Sequence, residues 1–428
     1  MSIYTQMIGK LTTPEVMGQF SWLYGNREGQ MLAQLNRHKT VLIRHEKQFD
    51  AEGPVWLISA PGRVEIGGNH TDHNHGRVLA AAANLDTLAA VSPRDDMIVN
   101  VFSEGHAPQS VDLSGLDPVA EEAGTSAAMI RGVAAGMQAE GHAIGGFDAV
   151  MTSTVASGSG LSSSAAYEVL IAAIFDRLYG NSNMDFVTQA KIGQRAENVY
   201  FGKPSGLLDQ MASAAGGLVT VDFCCDEPDV QPIAYDFAAK DFALVVVATG
   251  GSHADLTSDY AAIPAEMKQV AAHFGKQYLR EVMPDVFFAD LRALYGKVPD
   301  RALLRAMHFF RENERVLRQV DALRRDDLWA FLWEIKESGR SSFEYLQNVW
   351  CKPGDQSLSL ALCMAEELLG EEGSWRIHGG GFAGTTLNFV PIARLDRFVT
   401  AMDDVFGCGA SHVLDIRPVG AHTLQIEP

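Results

Sequence analysis

Residues 156–168, Ala-Ser-Gly-Ser-Gly-Leu-Ser-Ser-Ser-Ala-Ala-Tyr-Glu, constrain the fold of this chain more than any other stretch. Ahead of them, residues 147–155 carry Val150 and Val155 among Thr and Ser and predict a strand. Behind them, Ala165, Val169, Leu170, Ala173, Ile174 and Leu178 recur at helical spacing. Between strand and helix lie Gly158, Gly160 and the serines 159, 162, 163 and 164. Gly158 and Gly160 remove the side chains that would keep the backbone from closing around a ligand. The serines put hydroxyls and free N–H groups at a helix N-terminus, where the dipole and unpaired donors favour an anion. The stretch therefore predicts a phosphate cradle. A Gly/Ser loop with serine N-caps is the plainer alternative.

Composition narrows the setting. At 428 residues, 47% hydrophobic and 20% charged, the chain is globular and long enough for two or three domains. No apolar run approaches the roughly 20 residues needed to span a bilayer. The start, MSIYTQMIGKLTTPE, lacks a basic region followed by an apolar one, so no secretory signal is expected. Cys224, Cys225, Cys351, Cys363 and Cys408 have no metal-type spacing, and an odd number suits free thiols in a reducing cytoplasm. A net charge of −19 argues against nucleic-acid or anionic-membrane partners. It leaves a nucleotide substrate open, because one local site suffices.

Residues 1–50 read as helical. Strands are expected at 55–59, 78–90, 97–102, 218–223, 242–248, 375–377, 385–391 and 422–426. Helices are expected at 125–141, with Ser126 as the cap, at 186–201, and through much of 255–350. Strands and helices without regular alternation point to an α+β fold. The pattern is interrupted at Gly216-Gly217 and the acidic stretch that follows, and the main boundary is expected near 215–240.

Residues 59–86, SAPGRVEIGGNHTDHNHGRVLAAAANLD, gather Arg63, Asn69, His70, Asp72, His73, Asn74 and His75 between two strands. His70, His73 and His75 suggest zinc, but their spacing is short and no cysteine joins them. Asn, Asp and His on one loop more naturally hydrogen-bond the hydroxyls of a sugar. Glu197 in RAENVYFG and Asp209 in PSGLLDQM are candidate bases or metal ligands, each with a surface carboxylate as the plain alternative. HGGGFAGT, residues 378–385, matches G-x-G-x-x-G, yet the following TTLNFVPI reads as a strand where a dinucleotide fingerprint needs a helix. It predicts instead a glycine-rich turn against a neighbouring segment or ligand. The P-loop pattern is absent from the sequence.

Together, APGRVEIGGNHTDHNHG, GSGLSSSAA and HGGGFAGT, with RAENVYFGKPSGLLDQ beside them, resemble the GHMP kinase superfamily and within it the galactokinase family. The resemblance covers roughly residues 55–428 and implies a two-domain α+β GHMP fold with the active site between domains. The implied division is a helical extension at 1–35, an ATP- and sugar-binding domain at 36–215 and a C-terminal domain at 216–428. It also implies an ATP-dependent sugar 1-kinase in the cytoplasm, acting on galactose or on a relative such as galacturonate. A non-catalytic sugar sensor of the same family is the rival from another class, but Ser164-Ala165 and Asp209, whose loss would favour it, are present.

Carried over by position, Ser157, Gly158, Ser159, Gly160, Leu161, Ser162, Ser163 and Ser164 would wrap the ATP phosphates. Ser164, or Ser163 beside it, and Glu197 would hold Mg²⁺. Asp209 would face the anomeric hydroxyl with Arg63 beside it. Asn69, His70, Asp72, His73 and Tyr260 would line the sugar. Galactokinases usually read GEHTDY where this chain has Gly68-Asn-His-Thr-Asp-His73. The missing Glu contacts the sugar near C6, so Asn69 puts the substituent there in question. His73 in place of Tyr is similar to plant galacturonate kinases. Ser126 stands where a Trp often packs beside the adenine.

Overall fold

The computed structural model describes every residue except 1, 28, 156–159, 251–255, 351, 427 and 428. As the sequence predicts, helices come first: Ile3–Lys10, Pro14–Tyr24 and Gln30–Phe49. The strands are β1 (Trp56–Gly67), β2 (Arg77–Pro93), β3 (Ile98–Ser103), β4 (Gln109–Asp112), β5 (Phe147–Ser153), β6 (Leu218–Asp222), β7 (Asp229–Ile233), β8 (Phe242–Ala248), β9 (Ser374–His378), β10 (Thr385–Pro391), β11 (Ser411–Leu414) and β12 (His422–Thr423).

The first sheet runs β12-β1-β2-β5-β3-β4, with β6 on β2 and β7 on β6. The 17-residue β2 organises it: residues 77–81 pair with β6 and residues 87–93 with β5, while β1 lies along the other edge. Alternation sends Ile58, Ala60, Ala89 and Val91 to one face and Leu57, Leu88 and Ala90 to the other. The helices Ser126–Ala139, Ser163–Tyr179 and Leu208–Ala215 cover the first face and the N-terminal helices cover the second. Burial on both faces explains why β1 and β2 show no clean hydrophobic alternation. The second sheet, β11-β8-β10-β9, is wholly antiparallel. The helices Asp300–Arg324 and Leu328–Ser341 pack on one face, in a core that also holds Val64, Ile66 and Leu79 and so joins the two sheets. Mixed helices and sheets of this kind are the expected α+β class.

Three expectations need correction. The first strand does not stop at residue 59; β1 continues to Gly67. Its polar residues are tolerated because they are paired inside the protein, Arg63 on Asp209 and Glu65 on Arg376, each at 2.7 Å. Register shifts between Pro61 and Arg63 and between Glu65 and Gly67 absorb the residues that read as loop. The helix expected from Ser126 is capped by Thr125, whose hydroxyl accepts the Ala128 N–H at 3.5 Å. The cut at 35/36 falls inside the helix Gln30–Phe49, and the cut at 215/216 falls ahead of β6, which still belongs to the first sheet.

The N-terminal helices are bound into the first sheet by a buried ionic cluster. Asp86 accepts from Arg37 at 2.5 Å, from Arg417 at 2.8 Å and from the Tyr24 hydroxyl at 2.7 Å. No helix among the described residues is long and apolar enough to cross a membrane.

Candidate active site

Arg63 reaches the site because β1 extends into it. Its N–H bonds the Leu161 carbonyl at 2.9 Å, tying β1 to the residues just ahead of the helix Ser163–Tyr179. The guanidinium donates from Nε to Asp209 Oδ1 at 2.7 Å and from a terminal nitrogen to the Gly160 carbonyl. Asp209 lies in the first turn of Leu208–Ala215, where a carboxylate is favoured by the helix dipole. Its second oxygen accepts the Ser162 hydroxyl at 2.7 Å. Burial pushes the Asp209 carboxyl up, but the Arg63 charge and the Ser162 hydrogen bond outweigh it and hold the pKa below its ordinary value. The side chain keeps 31% of its exposure, so the ionised acid is open to solvent on one side.

Ser162 occupies the N-cap of Ser163–Tyr179 in a left-handed conformation, and its hydroxyl makes no capping bond. It is turned to Asp209 instead, which leaves the first N–H groups of the helix for a ligand. Gly160, at φ 72°, presses against the second sheet: a Cβ there would collide with Thr385 Oγ1. Ser157, Gly158 and Ser159 lie outside the described residues.

Behind the cradle, Glu197 sits in the π-helical turn Ala196–Phe201, 2% exposed. Its Oε1 accepts from Ser164 Oγ at 3.0 Å and from Lys203 Nζ at 2.8 Å, and its Oε2 accepts from Gln210 Nε2 at 3.0 Å. The same Gln210 amide donates to Glu168 Oε2 at 2.9 Å. Burial, with the charge of Glu197 behind it, raises the Glu168 pKa well above the carboxylate range.

The loop 68–76 faces the glycine turn that precedes β10. His70 donates from Nε2 to the Gly380 carbonyl at 2.9 Å, and burial, then His73, lowers its pKa to about 3. His73 stacks on His70 with ring centroids 5.9 Å apart, and its Nε2 stands 3.9 Å from Asp72. Tyr260 donates to the Gly381 carbonyl at 2.9 Å and packs edge-on against Phe382. A Cβ at Gly381 would collide with the Asn348 carbonyl, so the turn closes only with glycine there. His75 turns away to stack on Tyr278 at 3.8 Å, and among the described residues no cluster of three His, Cys, Asp or Glu is placed to hold a metal.

Asn69 is a correction. The sequence places it against the sugar, but the structure buries it completely. Its Nδ2 donates to Glu65 at 2.8 Å and to the Gly379 carbonyl at 2.7 Å, and its Oδ1 accepts from Asn348 at 2.9 Å. With both amide hydrogens and the oxygen engaged and the residue fully buried, Asn69 ties the loop to the glycine turn and is closed off from a ligand.

The glycine turn itself is fixed by His378. The Glu65 N–H donates to its Nε2 at 3.1 Å, so the ring proton is on Nδ1 and faces Thr385 Oγ1 at 3.0 Å. Burial, Arg63 and Arg376 hold this ring neutral, its pKa well below the usual value. Two cavities of about 250 and 280 Å³ lie elsewhere, beside β12 and around Arg177, remote from this chemistry.

A family model described as the galactokinase galactose-binding signature matches residues 43–93, and one described as the GHMP kinases N terminal domain matches residues 128–217. Over 396 residues, 90% of this chain and 98% of the other, the sequence is 35% identical to a galactokinase of Streptomyces coelicolor. The chain belongs to the galactokinase family. Its fold is similar to that of Lactococcus lactis galactokinase crystallised with galactose, with a TM-score of 0.78 at 24% identity over 91% of this chain and 99% of that one. It is also similar to Methanococcus jannaschii mevalonate kinase, with a TM-score of 0.61 at 12% identity over 86% and 99%. A member of the galactokinase family is a sugar kinase, transferring a phosphoryl group from ATP to an alcohol.

For a galactokinase-family site, the structure brings Arg63, Asp209, Gly160, Ser162, Ser164 and Glu197 together, sets His70, Asp72 and His73 along the loop 68–76, and brings Tyr260 from the helix Thr257–His273 onto the glycine turn. Sequence reasoning missed Lys203, Gln210, Glu65, Arg376 and Asn348. Gln210 directly follows Asp209, and Lys203 stands midway between the two acids, which was the available signal. Asn348 and Arg376 are brought in by tertiary packing, and no local pattern marks them.

Proposed function

We propose that this galactokinase-family chain phosphorylates the anomeric hydroxyl of galactose with ATP. The observation that carries the reading is the ionised, partly open Asp209, held by Arg63 and Ser162 at the mouth of the cradle. Asp209 orients the sugar hydroxyl and accepts its proton as that oxygen attacks the γ-phosphorus. The bond to the ADP oxygen breaks, and Arg63 offsets charge on the transferring group. Residues 157–164 cradle the phosphates. Asp72, His70, His73 and Tyr260 surround the sugar.

Ser164 and Glu197 fit a magnesium ion: they offer hard oxygens side by side at the cradle, and one carboxylate with a hydroxyl leaves the remaining positions to phosphate and water. Bound there, the ion would neutralise phosphate charge. Cys224, Cys225, Cys363 and Cys408 are unpaired, which supports a reducing cytoplasm.

Galacturonate as the substrate rested on Asn69 reaching C6 and on His73 standing in place of Tyr; the burial of Asn69 removes the first argument and leaves the second. The test is ADP release from ATP with galactose, galacturonate and glucose, with the product read by ³¹P NMR. Galactose should be preferred and should yield an anomeric phosphate. A preference for galacturonate, or ATP use independent of sugar, would contradict the reading.

A further inference from the structure

We propose that Lys203 is an internal counter-ion for Glu197 that yields its place to the magnesium ion arriving with the nucleotide. The proposal rests on the reading of Glu197 as a metal ligand.

Glu197 is a carboxylate with 2% exposure, and an uncompensated charge so buried is strongly destabilising. Lys203 supplies the compensation at 2.8 Å, on Oε1, the oxygen that also accepts from Ser164. The ammonium and Ser164 therefore share the oxygen that a cation bridging Ser164 and Glu197 would need. Two cations on that oxygen would repel each other, so metal and ammonium compete for it.

The backbone makes such an exchange simple. The N–H groups of Gly202 and Lys203 both bond the Glu197 carbonyl, at 3.0 and 3.1 Å, which fixes the main chain of Lys203 beside Glu197 whatever its side chain does. The Lys203 side chain is 58% exposed and can swing into solvent by rotation about its own bonds. Glu197 keeps Gln210 on its other oxygen throughout, so the carboxylate stays aimed as its cation changes.

A competing internal cation lowers apparent metal affinity by the stability of the ion pair it must give up. For a pair with one solvent-exposed member, that is about fivefold. The experiment titrates Mn²⁺, followed by the free-ion EPR signal, into the ADP-saturated protein. Wild type is compared with Lys203→Met, Lys203→Gln, Lys203→Arg and Glu197→Gln, and ADP affinity in EDTA is measured for each.

Both neutral variants should bind Mn²⁺ about fivefold more tightly than wild type, Lys203→Arg should stay close to wild type, and ADP affinity in EDTA should hold. Unchanged or weaker Mn²⁺ binding in the neutral variants, with Glu197→Gln weakened, overturns the counter-ion role and leaves the metal assignment standing. Mn²⁺ affinity indifferent to Glu197→Gln as well overturns both. Loss of ADP affinity in EDTA makes Lys203 a phosphate ligand and overturns the proposal.

Discussion

Two aspartates of this molecule, Asp86 and Asp209, are each paired with arginine, each joined by a hydroxyl, and each held below the usual carboxylate pKa. Asp86 meets Arg37, Arg417 and Tyr24, and it and Arg417 are wholly buried. Asp209 meets Arg63 and Ser162 and remains 31% exposed. At Asp86 burial raises the pKa, and the two arginines bring it down to about 2. The chemistry of the two pairs is nearly the same, and access separates them. Every direction around Asp86 is filled by the protein, so its charge can only hold together segments far apart in sequence. Asp209 leaves one side open, and the same ionised carboxylate can there take a proton from a ligand. A depressed pKa alone does not distinguish a structural pair from a reacting one.

The strongest test of this contrast on the structural side is Asp86→Ala. It leaves Arg37 and Arg417 buried without their counter-ion and should cost about 3–5 kcal/mol in urea unfolding, with KM for the sugar unchanged in the folded fraction. A loss under about 1 kcal/mol would make the cluster ornamental. Next is Asn69→Glu, which places a second carboxylate against Glu65 in a fully buried site and should cost about 3 kcal/mol. Adding Glu65→Gln to that variant should recover much of the loss. A stable Asn69→Glu with altered sugar preference would instead put residue 69 in contact with the ligand.

Acid should act on both regions through neutral histidines, His38 buried and His70 and His422 partly buried. Burial lowers His38 to about 4, His422 to about 4 and His70 to about 3, with Arg37, Arg417 and His73 respectively adding to it. Each takes up a proton on unfolding below its free value of about 6.5, so the stability it contributes is complete above that pH and declines as pH falls toward the folded value. The slope is about 1.4 kcal/mol per pH unit for each group. Asp86 adds its own loss only from about pH 4 down to about pH 2, because its folded pKa lies below its free one. Urea midpoints flat from pH 5 to pH 8 would contradict this. The smallest effect is expected from Ser162→Ala, which removes one hydrogen bond to Asp209: turnover should fall about fivefold, with stability within about 1 kcal/mol of wild type.

Much of the site was legible because its parts are local. The cradle, the loop at 68–76, the acids Glu197 and Asp209 and the glycine turn each lie within a short run, and the strand after the turn is β10 as expected. β1 was not legible past Ser59: a strand buried on both faces and broken by Pro61 and Gly62 loses the alternation that marks strands. Asn69 was misplaced for a related reason. A polar residue in a polar loop reads as a ligand contact, and the partners that enclose it, Asn348 and Gly379, come from far along the chain. The Asp86 cluster was hidden by the same distance, since Arg37 and Arg417 approach from opposite ends of the sequence.

The contrast turns on Asp209, and the most direct measurement is turnover and unfolding free energy on the same preparation of Asp209→Asn. The amide keeps the shape of the side chain and removes its charge and basicity. We expect kcat to fall by about a thousandfold or more, with ATP binding intact and a stability loss of about 1–2 kcal/mol, smaller than that of Asp86→Ala because the amide oxygen can still accept from the buried Arg63. Near-wild-type turnover, or a stability loss as large as that of Asp86→Ala, would contradict the assignment of Asp209 as the reacting member of the two.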